Sequence, residues 1–282
     1  FDSNGFSIGT AGDINSSNNY VGWCWKAGGS KNTFNVDDVG YASAAAAGLT
    51  GGDITPTGAS VGTKQGFSII KFTGSGSGTP SIPHGLSEAP TCIIQKDTGA
   101  NTSWRVFMYI GSTWKIFNLN NNDVASNATE TPPTSSLFYA NGNGNAANTQ
   151  IAYLWHDVPG LQKFGTYESG GSQYDGPYIE LGFKPAIVIV KAATRTFGSH
   201  WSLIDSKRNP INVSSSGSGT KILYISSQGG AEFTSGGAQC DLLSNGFKAR
   251  NNSSDINDGG TYIYMAWAEA PSIDLFGGGA NA

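Results

Sequence analysis

Charge is scarce in this chain: only 13% of its 282 residues are Asp, Glu, Lys or Arg, about half the share of an ordinary globular protein. The balance is slightly acidic, with a net charge of -4 and a pI near 5.3. Such a surface lacks the basic footprint that phosphate-backbone binding needs, so no nucleic-acid partner is expected. Cysteine is as sparse. Cys24, Cys92 and Cys240 are odd in number and far apart, which excludes a disulfide framework and leaves small buried hydrophobes as the reading. With three histidines and no Cys/His cluster, a zinc site is not expected, nor any cofactor. Long apolar runs are missing too: stretches such as Pro185 to Val190 fall far below the ~20 residues that span a bilayer. Membrane insertion is therefore not expected. Residue 1 is Phe, with no basic and apolar leader after it, so the chain is expected to be a piece of a longer protein.

What remains is rich in turn formers and aromatics. Forty glycines and abundant Ser, Asn and Thr accompany seven Trp and an apolar share of 38%. Glycine at this density opposes helices, while the apolar material suffices for packed interiors and argues against disorder. The fold class expected is all-β.

Internal repetition organises the rest. Ser3-Asn4-Gly5-Phe6 recurs as Ser244-Asn245-Gly246-Phe247, each ahead of an apolar stretch. That stretch is Tyr20 to Trp25, then Gln150 to Trp155, then Tyr262 to Trp267. Thr91 to Lys96 aligns with Ala186 to Lys191, Trp104 with Trp201, and Lys115 to Leu119 with Lys221 to Ile225. Two complete modules of roughly 95–110 residues follow, at 66–160 and 161–271. Residues 1–27 read as the C-terminal part of an incomplete module, 28–65 as a Gly/Ala-rich connector and 272–282 as a tail. Within the connector, Ala44 to Ala47 is expected to make no more than a helical turn, since Gly40, Gly48 and Pro56 surround it.

Strands are expected at Phe67 to Thr73, Thr91 to Lys96, Arg105 to Ile110, Lys115 to Leu119, Ala186 to Lys191, Trp201 to Asp205 and Lys221 to Ile225, with turn-forming clusters between them. Alternation places Val21, Trp23 and Trp25 on one face, as it does Ile151, Tyr153 and Trp155, and Ile263, Met265 and Trp267. That face is expected to be the core face, and each module a β-sandwich. A strand carrying two inward Trp has to be covered, so upstream residues or a strand-exchanged neighbour are expected to complete the first copy.

The pattern Gly66-Phe67-Ser68-Ile69-Ile70-Lys71-Phe72-Thr73, His84-Gly85-Leu86, the Thr261 to Glu269 strand, Ser202 to Pro210 and the terminal Leu275 to Ala282 resemble a repeat family of marine tailed bacteriophages. In that family the repeats form C-terminal parts of tail-fibre-like and appendage proteins. The resemblance implies a virion setting exposed to the extracellular medium, with other virion proteins as partners; repetition, low charge and the lack of a catalytic constellation make a non-enzymatic structural module the expectation, and the incomplete first copy a homo-oligomer, a trimer in a fibre. The alternative it implies is an adhesin for a host surface glycan; a polysaccharide-degrading tailspike fits less well, because β-helical short repeats and clustered carboxylates are missing.

Candidate site residues are few. His84, His156 and His200 fall in no nucleophile motif, and Glu168, Asp175, Glu180 and Asp205 form no evident catalytic pair. Trp114, whose aligned residue is Thr220, is the Trp expected at the surface as a ligand contact; Tyr174 and Tyr178, flanking Asp175-Gly176-Pro177, make a second patch. The polar loops Asp13 to Asn19, Asn141 to Asn148 and Asn251 to Gly260 carry oxygen ligands of the kind Ca²⁺ takes, with Asp255 and Asp258 the candidates in the richest copy. Tight-turn chemistry explains the same Asn, Asp and Gly.

Overall fold

A computed structural model describes residues 6–10, 12, 15–17, 20–172, 175–195, 199–212, 219–226, 232–235 and 239–269. The strands of its first half are β1 (Phe34–Val36), β2 (Val39–Tyr41), β3 (Gly58–Gly62), β4 (Phe67–Thr73), β5 (Ser81–Pro83), β6 (Cys92–Asp97), β7 (Arg105–Ile110), β8 (Thr113–Asn118), β9 (Ser126–Asn127), β10 (Leu137–Tyr139) and β11 (Thr149–Trp155). Those of the second half are β12 (Gln162–Ser169), β13 (Tyr178–Glu180), β14 (Pro185–Ala192), β15 (Ser202–Asp205), β16 (Lys221–Tyr224), β17 (Phe233–Thr234), β18 (Cys240–Leu243), β19 (Gly246–Ala249) and β20 (Gly260–Ala268). Among the described residues there is no α-helix, only a short 3-10 turn at Gly142–Asn145.

The repeat is written in the strand order. One large sheet runs β2-β1-β3-β4-β11-β6-β7-β8-β9 and the other β12-β20-β14-β15-β16-β17. From β4 and from β12 onward the two orders are the same, with the chain's last strand of each module inserted second. Pairings agree residue for residue: Trp155 lies opposite Cys92 as Trp267 lies opposite Ile187. The N–H of Leu119 donates to the carbonyl of Trp104 at 2.8 Å, as that of Ile225 does to Trp201 at 2.9 Å. Small sheets complete the sandwiches, β5-β10 in the first module and β13-β19-β18 in the second. There Ile82 faces Phe138 as Ile179 faces Phe247. Gly85 and Gly182, with φ of 72° and 85°, turn the chain out of β5 and β13 at the same place, in a conformation that favours glycine.

Alternation then separates three cores. Ile70, Phe72, Ile93, Phe107, Ala152 and Leu154 point from the first large sheet to its small sheet. Val188, Val190, Ile204, Ile222, Tyr262 and Tyr264 do the same in the second module. The opposite faces of the two large sheets meet each other, joining Phe67, Cys92, Met108 and Trp155 to Leu203, Ile263, Met265 and Trp267. The molecule is thus four layers, small sheet, large sheet, large sheet, small sheet. This corrects one expectation: Ile151, Tyr153 and Trp155, and Ile263, Met265 and Trp267, do share faces, but of these Trp155, Ile263, Met265 and Trp267, with Tyr153 at the margin, belong to the inter-module core, while the sandwich interiors use the other parity.

Two further corrections concern the N-terminal quarter. Residues 28–65 are not a free connector: β3 lies antiparallel on β4 and β1 parallel on β3, which extends the first large sheet. Leu49, at 1% exposure, is sunk in the first core below the turn at Ala44 to Gly48. Tyr20 to Trp25 forms no strand. Its expected core face is open, with Val21 and Trp25 exposed, because the sheet positions next to β4 are already filled by β3. The turn at Ser3-Asn4-Gly5 lies outside the described residues, as does the tail from 270 onward.

Candidate functional site

A concavity of about 390 Å³ lies where the N-terminal segment crosses the ends of both large sheets. Trp25 and Lys26 form one wall, Gln65 and Phe67 of the first module a second, and Gln162 and Trp267 of the second module a third. Trp25, 38% exposed, presents its edge to Trp267 with ring centres 5.2 Å apart. Trp267 in turn meets Trp155 at 6.1 Å, so the indole cluster continues into the inter-module core. The Gln162 amide donates to the carbonyls of Gln65, Gly66 and His156 at 3.0, 3.0 and 2.8 Å, which ties the modules together beneath the opening. Lys26 is paired with Asp38 at 2.6 Å, and Cys24 opens to solvent at the rim.

The expected contacts do not gather there. Trp114 is a correction: it is 6% exposed, stacked with Phe107 at 6.0 Å and packed on Tyr109 at 4.7 Å. Parity on β8 turns it inward. At the equivalent place in the second module the Thr220 hydroxyl accepts the N–H of Gln239, which leads into the third strand of that small sheet. The small sheet of the first module has two strands, and Trp114 belongs to the core between it and the large sheet. Tyr178 is 48% exposed on β13, opposite Lys248, which pairs with Asp175 at 2.8 Å and holds that carboxyl below its ordinary range. Tyr174 lies outside the described residues.

Asp255 and Asp258 are also corrected, since each is committed to protein partners. Asp255, 7% exposed, accepts the His200 N–H and the Tyr224 hydroxyl at 2.8 Å each. The Tyr224 hydroxyl is pushed far up by burial and by that carboxylate. Asp258 is bound by Arg195 at 2.5 Å. Among the described residues no three His, Cys, Asp or Glu side chains group as a metal site. The Asn141 to Asn148 loop is turn chemistry: Asn141 caps the 3-10 turn, and Asn145 donates to the Ser77 carbonyl at 2.7 Å.

The histidines and carboxylates are likewise engaged one by one. His84 is fully buried; its Nδ1 accepts the Leu86 N–H at 3.0 Å, which assigns the proton to Nε2, 3.1 Å from the Thr134 carbonyl. Burial holds this ring neutral, its pKa lowered to about 4. His156 Nδ1 lies 2.8 Å from the Asp157 carbonyl. His200 stacks on Tyr224 at 4.2 Å and its Nδ1 is 3.2 Å from the Ser226 hydroxyl. Asp205 is locked to Arg208 at 2.5 Å, and Glu168 and Glu180 accept from Thr261 and Asn245.

Sequence reasoning passed over Trp104 and Trp25, because repetition at one parity marked both as packed. Trp104 is 38% exposed on Tyr153, whereas its equivalent Trp201 is completely buried against Phe117, its indole N–H 2.9 Å from the Asn118 carbonyl. No signal within one module distinguishes them; the difference arises from which part of the large face the other module covers.

Comparison with known proteins adds one relationship. No curated protein and no solved structure matches the chain. A family model does match residues 1–271, and the chain belongs to that family, a domain of unknown function designated DUF7483.

Proposed function

We propose that the chain is a non-enzymatic structural protein of a tailed-phage virion, a module of a tail fibre or capsid appendage that contributes to host attachment. The resemblance in the repeat segments supplies the setting. The observation that carries the structural role is the burial of both faces of both large sheets, which makes two sandwiches into one four-layer unit. Such a unit transmits force without bending between modules, as a spacer in an appendage must. The separate engagement of every histidine and of the carboxylates described above supports the non-enzymatic part, since general acid–base work needs groups free to meet a substrate.

In this reading the chain sits outside the particle, contacts other virion proteins and self-associates, as a trimer where it forms a fibre. An antibody raised against residues 66–269 should decorate appendages of purified particles in negative-stain images, and the chain should be found in those particles by peptide mass spectrometry. Its absence from purified particles would defeat the reading.

A further inference from the structure

Two buried polar atoms in the walls of the cleft are left unpaired. Gln65 and Trp267 are each 7% exposed, and neither Gln65 Oε1 nor Trp267 Nε1 has a hydrogen-bond partner. Leaving such an atom unpaired costs about 1–3 kcal/mol. One is an acceptor and the other a donor. Around them the walls are apolar, with Phe67, Leu161, Ala186 and Ile187, and the volume of about 390 Å³ falls in the ~300–1,000 Å³ usual for small-molecule sites.

This chemistry selects a ligand. An aliphatic chain suits the apolar walls but leaves both orphan atoms unpaired. An anion finds in Lys26 a cation already neutralised by Asp38. A sugar ring meets every requirement, because its C–H face packs on an indole while each hydroxyl both donates, to Gln65 Oε1, and accepts, from Trp267 Nε1. We propose that the cleft is a saccharide-binding site with Trp25 as its movable wall. Both orphan atoms are closed to bulk water, so the sugar enters as the Trp25 ring swings off Trp267. That ring is suited to the movement: it is partly exposed, and residues 20–27 have no strand pairing to hold them. The inference does not depend on where the chain sits in a particle.

The intact 282-residue chain is applied to a glycan array, and each retained saccharide is then tested free in solution. Cys24 is exposed at the cleft while Cys92 and Cys240 are buried, so a maleimide labels Cys24 selectively. A saturating sugar should slow that labelling at least tenfold. Trp25→Ala and Gln65→Leu should each weaken binding at least tenfold with near-ultraviolet circular dichroism retained, while Trp104→Ala binds as the parent does. Retention of no saccharide, or a bound sugar that leaves the Cys24 rate unchanged, overturns the proposal. So does loss of binding in Trp104→Ala with Trp25→Ala unaffected, or an unaltered affinity in Gln65→Leu.

Discussion

Equivalent positions in the two modules allow single residues to be weighed against each other. His84 and Leu181 occupy the same place, each donating its N–H across the small sheet, to Ser136 at 3.2 Å and Asn245 at 2.9 Å. The module that carries His84 has a titratable group in its core. Because burial lowers its pKa from 6.5 to about 4, the unfolded chain takes up the proton first, and stability present above pH 6.5 is lost as the pH falls towards 4. The full loss amounts to about 3 kcal/mol. His84→Leu should flatten this acid limb in urea titrations, while lowering stability at pH 7 by about 1–3 kcal/mol because the Leu86 N–H and the Thr134 carbonyl lose their partner. An unchanged slope between pH 6.5 and 4 would show that His84 is not the group responsible. The two aligned Trp give a second contrast. Trp201→Ala should cost about 3–5 kcal/mol, whereas Trp104→Ala, at an exposed position, should cost under about 1 kcal/mol, as read from denaturant midpoints.

At the level of elements, β12 is the exposed counterpart of β4. In the first module β3 covers the outer edge of β4; in the second, residues 149–155, which precede β12 in the chain, are already paired within the first module as β11. The start of the open edge is blocked locally. Val158 exchanges hydrogen bonds with Gln162 at 3.0 Å each, and the Asp157 carboxylate accepts the Phe164 N–H at 2.9 Å. Burial raises the pKa of that carboxyl, so its charge is costly and its acceptor oxygen is the useful part. Asp157→Asn should therefore be near neutral. Asp157→Ala should lose about 1 kcal/mol and increase concentration-dependent association through the uncapped edge, measured by light scattering. Most of the longer strands were legible in the sequence because alternation extends over six or more residues, and β4 and β7 have the bounds expected; the eight-residue β12, interrupted by Gly165, was not. Strands such as β1, β2, β5, β10 and β13 were not, since three residues carry no period. The cleft was also illegible: its walls come from three separate parts of the chain, and nothing in the Tyr20 to Trp25 motif shows that its sheet position has been taken by β3.

For the whole molecule, the decisive question is whether residues 28–65 join modules or belong to one. Phe34, Leu49 and Val61 lie in the first core with exposures of 9%, 1% and 0%. Burying side chains of this size is worth about 1.5–3 kcal/mol each, and their joint contribution approaches the 5–15 kcal/mol that separates a folded domain from its unfolded chain. Removing them also strips β3 from β4 and leaves a seven-residue edge with an apolar inner face. Of the described residues up to 27, by contrast, only Ala27 lies fully in a core; Trp25 packs on Trp267, and Trp23 lies under the Arg208 guanidinium at 5.5 Å. The two truncations should therefore behave differently. A chain of residues 28–282 should remain monodisperse, with its melting temperature lowered by a few degrees, whereas one of residues 66–282 should aggregate or melt well below the parent. Differential scanning fluorimetry with multi-angle light scattering distinguishes these outcomes. A soluble 66–282 chain that melts with the parent would mean that β1 to β3 lean on a module already complete without them.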